Sequence, residues 1–508
     1  MNFMNEMNKT KDLNTRVLTE NGAVGHKTTG KYLLDLNFSV ASLRSMSANE
    51  VFNRFEKAFE EDPRLAMRWL FFARDVRGGL GERRLFRVCM MNLISKNPKM
   101  VTALVNLIPE YGRWDDLWCG MGIDPNIDDE IFNLVSEQLE SDIYNYHRGK
   151  SISLLAKWMP SINTSSVETR EKAKKFVKRF GMSEKSYRKM LSELRKYLDV
   201  IEKNMSSGQW SEINYNTVPS RANLLYKDAF LRHDSIRRQE YLDSLKKGEA
   251  KINAGTLFPH DIVHKCCHNS YDETVEQLWN NLPDYVKGNG NTMVVADGSG
   301  SMHCTIGDSK VTAWEVAHAL AIYFSQRSSG VFKNRYITFS SDPKFVNLHS
   351  GASLKENLSI ARRNSDCSNT NIEAVFNLIL ETAIRSGAKQ EDIPNNILII
   401  SDMEFDAATS SGYYYRFSEP SETLFENIRH RWEKAGYKLP RLVFWNVNSR
   451  TGSIPVTENE LGVALVSGFS PAICNIVLSG NLDPYEALVE ALMVKRYDPV
   501  EYAIEDFC

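Results

Sequence analysis

The spacing of apolar residues changes near residue 288, and this change constrains the fold more than any other feature of the chain. Before it, apolar positions recur at helical intervals. Ser47-Ala-Asn-Glu50 has the form of a capping box and leads into Val51, Phe52, Phe55 and Phe59. A second helix is expected over 65–76. A Gly-Gly-Leu-Gly turn follows at 78–81, and a third helix over 82–94 is stopped by Pro98. Further helices are expected near 100–108, 128–147, 165–180, 183–204, 219–247, 260–268 and 272–286, with no strand among them. Such lengths with short connections predict antiparallel pairs stacked as a solenoid or irregular array, a compact all-α domain being the alternative. No repeat of fixed period is present, so tetratricopeptide and ankyrin arrays fit poorly.

After a short linker at 287–291 the pattern alternates. Strands are expected at 293–296, 336–339, 396–401, 442–446 and 463–466. Helices are expected at 312–326, 372–385, 422–435, 471–479 and 484–494. This alternation predicts an α/β, Rossmann-like domain with a mostly parallel sheet covered on both faces. In such sheets ligands bind at the carboxyl ends of the strands. The chain therefore divides into a polar, flexible tail (1–27), an α-helical domain (28–287) and an α/β domain (292–508).

The first strand of the second half ends in Asp297-Gly-Ser-Gly-Ser301, a D-x-S-x-S pattern. One carboxylate and two hydroxyls, two residues apart on a glycine-loosened loop, can turn toward one point. Hard cations such as Mg²⁺ take such oxygen ligands and retain several waters. Two more oxygens are expected at strand ends on the same face: Thr370, ahead of the helix at 372, and Asp402, directly after the strand at 396–401. The competing reading is a Ser/Gly turn that caps the following helix without metal. Enzymatic readings of these residues fail. Aspartyl-phosphate phosphatases need a second carboxylate where Ser299 stands, and neither G-x-x-x-x-G-K-[ST] nor G-x-S-x-G is present.

The five residues Asp297, Ser299, Ser301, Thr370 and Asp402 resemble the metal-ion-dependent adhesion site of von Willebrand A modules. The resemblance implies that the serines and threonine contact Mg²⁺, or another divalent cation, directly or through water, and that the aspartates act largely through water. Further strings lie in the helical half: Arg77-Gly-Gly-Leu-Gly-Glu-Arg-Arg84, Tyr111-Gly-Arg-Trp-Asp-Asp-Leu-Trp118, Lys157-Trp-Met-Pro-Ser161 and Pro259-His-Asp-Ile262. Leu465-Val-Ser-Gly-Phe-Ser470 adds one in the second half. Together, over roughly residues 28–505, they resemble a family of plant, bacterial and phage proteins that pairs a helical region with a C-terminal von Willebrand A module. Its layout is similar to that of the Ro autoantigen, whose TROVE module is a ring of HEAT-like helical repeats closed by such a module. The resemblance implies a non-enzymatic ribonucleoprotein component that binds single-stranded or structured RNA, small non-coding or misfolded, and is monomeric if the ring closes within one chain.

Charge is distributed in keeping with that expectation. The net charge of the chain is −2, which excludes a protein basic over its whole surface. Residues 1–290 hold 43 basic and 38 acidic side chains, whereas residues 291–508 hold 19 and 26. From Arg170 to Lys203 there are 12 basic and 5 acidic residues. Lys174, Lys175, Lys178, Arg179, Lys185, Arg188, Lys189, Arg195 and Lys196 recur at spacings that allow a basic stripe along two helices, with Tyr187 and Tyr197 placed to stack on bases. The bland alternative is a solvated face paired along its length by Glu171, Glu184, Glu193 and Glu202. For Arg77, Arg83, Arg84 and Arg87, pairing with Glu82 or with Asp115-Asp116 is the favoured reading, and Trp114 and Trp118 read as core residues.

The eight cysteines are sparse and irregular, as in reduced thiols of a cytoplasmic protein. His264-Lys-Cys-Cys-His268 places two histidines one helical turn apart. Cys266 and Cys267 point to different faces, however, and no second pair lies nearby, so a packed helix is favoured over a zinc site. Cys304 beside His303 offers no workable catalytic pair. No apolar run approaches the roughly 18 residues of a membrane span, and the N-terminus shows no export signal. RNA binding is thus the leading expectation. The alternative is a scaffold protein, phage-encoded or virion-associated, whose metal site grips a partner's carboxylate. An enzyme is the weakest of the three, for want of a nucleophile and base at workable spacing.

Overall fold

The computed structural model describes residues 16–18, 24–198, 200–268, 270–286, 291–307, 309–368, 370–403, 424–449, 463–471 and 483–507. The expected tail (1–27), linker (287–291) and helix (471–479) fall wholly or largely outside these residues. A helical N-terminal region is followed by an α/β domain. The chain forms two compact units. One comprises Met1–Glu50, Glu56–Glu61 and Leu257–Ala491; the other comprises Val51–Phe55, Asp62–Thr256 and Leu492–Cys508.

The second of these is helical. Its helix Pro63–Arg74 begins where Asp62 accepts a hydrogen bond from the Leu65 amide at 2.9 Å, with Pro63 supplying a preset φ in the first turn. It buries Trp69, Leu70 and Phe71 against helix Arg83–Lys96 and against helix Asp498–Ile504 from the C-terminal segment. The turn between the first two requires glycine at 79, because a Cβ there would fall 1.9 Å from the Phe72 carbonyl oxygen. The buried Arg68 guanidinium donates to Glu501 at 2.6 Å, Asp498 at 2.8 Å and the Leu492 carbonyl at 3.0 Å. Every one of its contacts is charge-assisted or to a backbone acceptor, which offsets the cost of burying it. Arg87 pairs with Asp115 and Asp116, and Arg74 with Asp116, so the favoured reading of the 77–87 arginines holds at Arg87. Trp118 is buried, while Trp114 is only half-buried, on a 3₁₀ segment, Trp114–Cys119.

Two serine-capped helices carry the basic stripe. Ser166 opens Val167–Arg179 and Ser183 opens Glu184–Tyr197, each accepting from the amide three residues on. Their apolar faces bury Ala173 and Phe176 in the first and Tyr187, Leu191 and Leu194 in the second. The long helix expected over 219–247 is instead three: Ser220–Leu225, Lys227–His233 and Ser235–Lys246. Strands appear where none was expected, as the short antiparallel pair β1 (Arg16–Leu18) and β2 (Val24–His26).

In the α/β unit, six strands among the described residues form one mixed, mostly parallel sheet. They are β3 (Thr292–Asp297), β4 (Arg335–Phe339), β5 (Phe345–Asn347), β6 (Asn396–Ser401), β7 (Arg441–Asn446) and β8 (Val463–Ser467), in the order β5-β4-β3-β6-β7-β8. All pairings are parallel except β4 with β5. Every residue of β3 is buried, as expected of a central strand covered on both faces. Helix Ala313–Arg327 packs on β3, β4 and β6 and is buried from Ala313 to Ser325. Against it lies helix Pro259–Cys267. The edge strand β5 and helix Leu354–Asn364 were not anticipated. No helix among the described residues is long and apolar enough to cross a membrane.

Candidate functional site

The strand order reverses direction between β3 and β6, and that is where an open parallel sheet leaves a crevice at its carboxyl edge. Register fixes what faces the crevice. Ala296 lies opposite Ile400, so Asp297, at the end of β3, comes beside Ser401, the last residue of β6. Ser401 Oγ donates to one Asp297 carboxylate oxygen at 2.6 Å, and the Ser299 amide donates to the other at 2.9 Å. The Ser299 and Ser301 hydroxyls are 3.1 Å apart. Asp402 follows Ser401 and is 1% exposed, while Asp297 is fully buried. Burial first, and then the neighbouring Asp402 charge, push the Asp297 carboxyl up to about 7 from the ordinary carboxylate range, against the lowering effect of the Ser401 and Ser299 hydrogen bonds. Two buried carboxylates that oppose each other's ionisation are costly to hold charged together without a compensating cation.

Thr370 is buried just ahead of Asn371, whose side chain caps helix Ile372–Ser386. The segment leading to it touches the D-x-S-x-S loop. Ser365 Oγ donates to the Gly298 carbonyl at 3.4 Å and accepts from the Trp314 indole at 3.0 Å. A Cβ at 298 would lie 2.5 Å from Ser365 Oγ, so any larger residue there would displace that hydroxyl from the loop. At Gly300 a Cβ would meet open space, and that glycine has no comparable role.

The basic helices of the helical unit present two different environments. A cleft of about 1400 Å³ is lined by eight basic and three acidic side chains. Of the nine basic residues marked by sequence, Lys185, Arg188, Lys189 and Arg195 line it; Lys174, Lys175, Lys178, Arg179 and Lys196 do not. Lys174 pairs instead with Glu171, Lys175 with Asp128, and Arg179 with Asp129. Arg195 donates to the Ala156 and Met159 carbonyls, both at 2.8 Å, and to Ser161 at 3.0 Å, and burial lowers its pKa from the free value. Its guanidinium closes the end of helix Leu155–Trp158. Tyr187 is fully buried and donates to the Pro160 carbonyl at 2.8 Å, which removes it as a stacking platform. Tyr197 is half-exposed and donates to the Lys150 carbonyl. Beyond those nine, the cleft is lined by Arg87, Lys157, Lys172, Lys203 and the half-buried Trp158, with the Arg113 guanidinium 4.1 Å from its ring centre. Trp158 and Lys157 stand in the Lys157–Ser161 string.

Residues 291–499 match a domain of unknown function, DUF7788. Residues 19–110 and 127–294 match a second one, DUF2828. The chain is similar to the uncharacterized protein L728 of Acanthamoeba polyphaga mimivirus, 30% identical over 527 residues, which span 95% of this chain and 88% of that relative. With half its length matched by one model and nearly its whole length by a relative, this chain of a helical region and an α/β domain belongs to the DUF2828 family.

Proposed function

We propose that the protein is a non-enzymatic RNA-binding protein of Ro-like type, whose helical unit holds single-stranded RNA in the cleft walled by helix Glu184–Tyr197. The observation that carries the reading is the cleft itself, with eight basic side chains against three acidic ones around a concave wall. Concavity focuses positive potential on a polyanion, and Trp158, with Arg113 over its ring, adds an aromatic surface to the wall. Labelled single-stranded RNA, titrated with the full chain at rising salt, tests it. Affinity is expected to fall along a straight line in log salt, with a slope of about −0.7 per phosphate contact. Binding that is absent, or indifferent to salt, would refute the reading.

The α/β unit is read here as a von Willebrand A-like module. Its strand order and the position of Asp297 and Asp402 at the switch point support this. The donor set fits a hard divalent cation such as Mg²⁺, since it consists of oxygens only and two of its carboxylates are buried together. Asp297, Ser299, Ser301, Thr370 and Asp402 are the residues that would hold it; when bound, it would supply an open coordination position for an acidic group. This favours a second reading, an interaction protein that grips a partner's carboxylate.

The two states of the site have opposite pH signatures. Without metal, the raised Asp297 pKa means that the native state holds its proton more tightly than the unfolded chain. That contribution to stability is complete below the unfolded value of about 4 and is lost as pH rises through about 7. With Mg²⁺ the dependence reverses over the same window, because the cation competes with the proton. Thermal melts of wild type and Asp297→Ala with and without Mg²⁺ test this. The wild type alone is expected to gain stability from Mg²⁺ at pH 7.5, and an equal gain in the variant would sink the assignment.

A further inference from the structure

A second cluster of ligand-type side chains lies in the α/β unit, apart from the five oxygen residues of the sheet edge. Helix Pro259–Cys267 presents His264 and, at its C-cap, His268, one turn apart and with ring centroids 4.1 Å apart. Glu315 reaches them from the first turn of helix Ala313–Arg327. Its carboxylate, 5% exposed, lies 3.0 Å from His264 Nδ1 and 3.6 Å from His268 Nδ1. From sequence alone this stretch lacked converging ligands. The missing donor is 47 positions further along the chain and comes into place only through packing of the two helices.

We infer that His264, His268 and Glu315 form a binding site for a borderline divalent cation of the Zn²⁺ class. The three ligand atoms lie within 4.8 Å of one another. Bonds of about 2.0–2.1 Å to a tetrahedral ion place its ligands about 3.3 Å apart. The set closes on such an ion through a shift of at most about 1.5 Å. His268, with a side chain 58% exposed, makes that shift by giving up the 2.9 Å hydrogen bond from its Nδ1 to the His264 carbonyl, and it leaves the ion a path in from solvent. Imidazole nitrogen with carboxylate oxygen suits Zn²⁺, Co²⁺ or Ni²⁺ and disfavours Mg²⁺, the reverse of the oxygen-only set at Asp297. Cys267 touches Glu315 and Arg362, and the ligand set is drawn without it. A fourth position remains for water. Ligation through both Nδ1 atoms puts each ring's proton on Nε2.

The consequence is local and structural. Glu315 also accepts from the Thr312 amide at 2.9 Å, in the capping box that starts its helix. The ion would therefore fasten the start of that helix, where the loop begun by Asp297–Ser301 ends, to helix Pro259–Cys267.

The test uses full-length protein, stripped of metal and titrated with Zn²⁺ against a chromogenic chelator in excess Mg²⁺. Wild type and Asp297→Ala are each expected to take one equivalent of Zn²⁺. Loss of an outer-shell partner alone weakens metal affinity about 10–100-fold, so His268→Ala is expected to lose more than tenfold and His264→Ala/His268→Ala to lose competition with the chelator. Because His268 is exposed, its replacement leaves the fold intact, as an unchanged circular dichroism spectrum would verify. The inference is overturned if wild type does not compete, if the double variant takes up Zn²⁺ as wild type does, or if Asp297→Ala alone abolishes uptake. Only the last outcome would place the ion at the sheet edge, which keeps the two sites distinguishable.

Discussion

Helices Val167–Arg179 and Glu184–Tyr197 look alike in sequence and differ in what surrounds them. Both are serine-capped, amphipathic and rich in Lys and Arg. In the first, Lys175 and Arg179 face Asp128 and Asp129 of helix Pro125–His147, and Lys174 is paired along its own helix. In the second, Lys185, Arg188 and Lys189 line a concave wall together with Trp158. Charge density along the chain does not separate the two. Lys189 also has a carboxylate near it, Glu193 at 3.9 Å, and Lys172 of the first helix reaches the same cleft, so what separates the two sets of cations is chiefly whether the surface around them curves around a ligand.

Four substitutions probe this difference, the strongest first. Arg195→Ala is expected to lower stability by about 2–3 kcal/mol in urea denaturation, because the Ala156 and Met159 carbonyls lose a charged donor. A loss confined to RNA affinity, with no change in stability, would return Arg195 to the phosphate-contacting surface. Lys185→Glu/Lys189→Glu is expected to weaken single-stranded RNA by about tenfold or more and to flatten its salt dependence by about 1.4 in slope, two contacts' worth. Tyr187→Phe is expected to cost about 1 kcal/mol of stability through the lost bond to Pro160, with RNA affinity unchanged. Lys174→Glu/Lys178→Glu, matched in charge to the cleft pair, is expected to change RNA affinity by less than about twofold once salt screens the longer-range field. If it weakened binding as much as the cleft pair does, the distinction between the helices would disappear.

The α/β half was the more legible. Five of its strands were readable as short apolar runs, and the D-x-S-x-S loop sits at the end of β3, where the alternation placed it. Edge strand β5 escaped because three residues, of which only Val346 is buried, carry no periodic signal. Helix Leu354–Asn364 was not expected, although Ser353-Leu-Lys-Glu356 has the form of a capping box; the Ser353 amide donates to Glu356 at 2.8 Å and the Glu356 amide to Ser353 Oγ at 3.3 Å. The helical half was legible in its elements and not in its surfaces. No Gly or Pro marks the breaks at Tyr226 and Asp234, so 219–247 read as one helix. Tyr187 and Arg195 looked like RNA contacts because their burial depends on Pro160 and on helix Leu155–Trp158, some 30 to 40 positions away. Asp498 and Glu501, the partners of Arg68, lie more than 400 positions from it. Glu315 was unreadable as a partner of His264 for the same reason.

The most direct test of the RNA-binding reading is ultraviolet cross-linking of the full chain to single-stranded RNA, with the attached peptides mapped by mass spectrometry. Cross-links are expected within 157–164 and 185–195, with Trp158 among the attachment sites. Attachment confined to 174–179, or a chain that yields no cross-link above a non-binding control, would contradict the account.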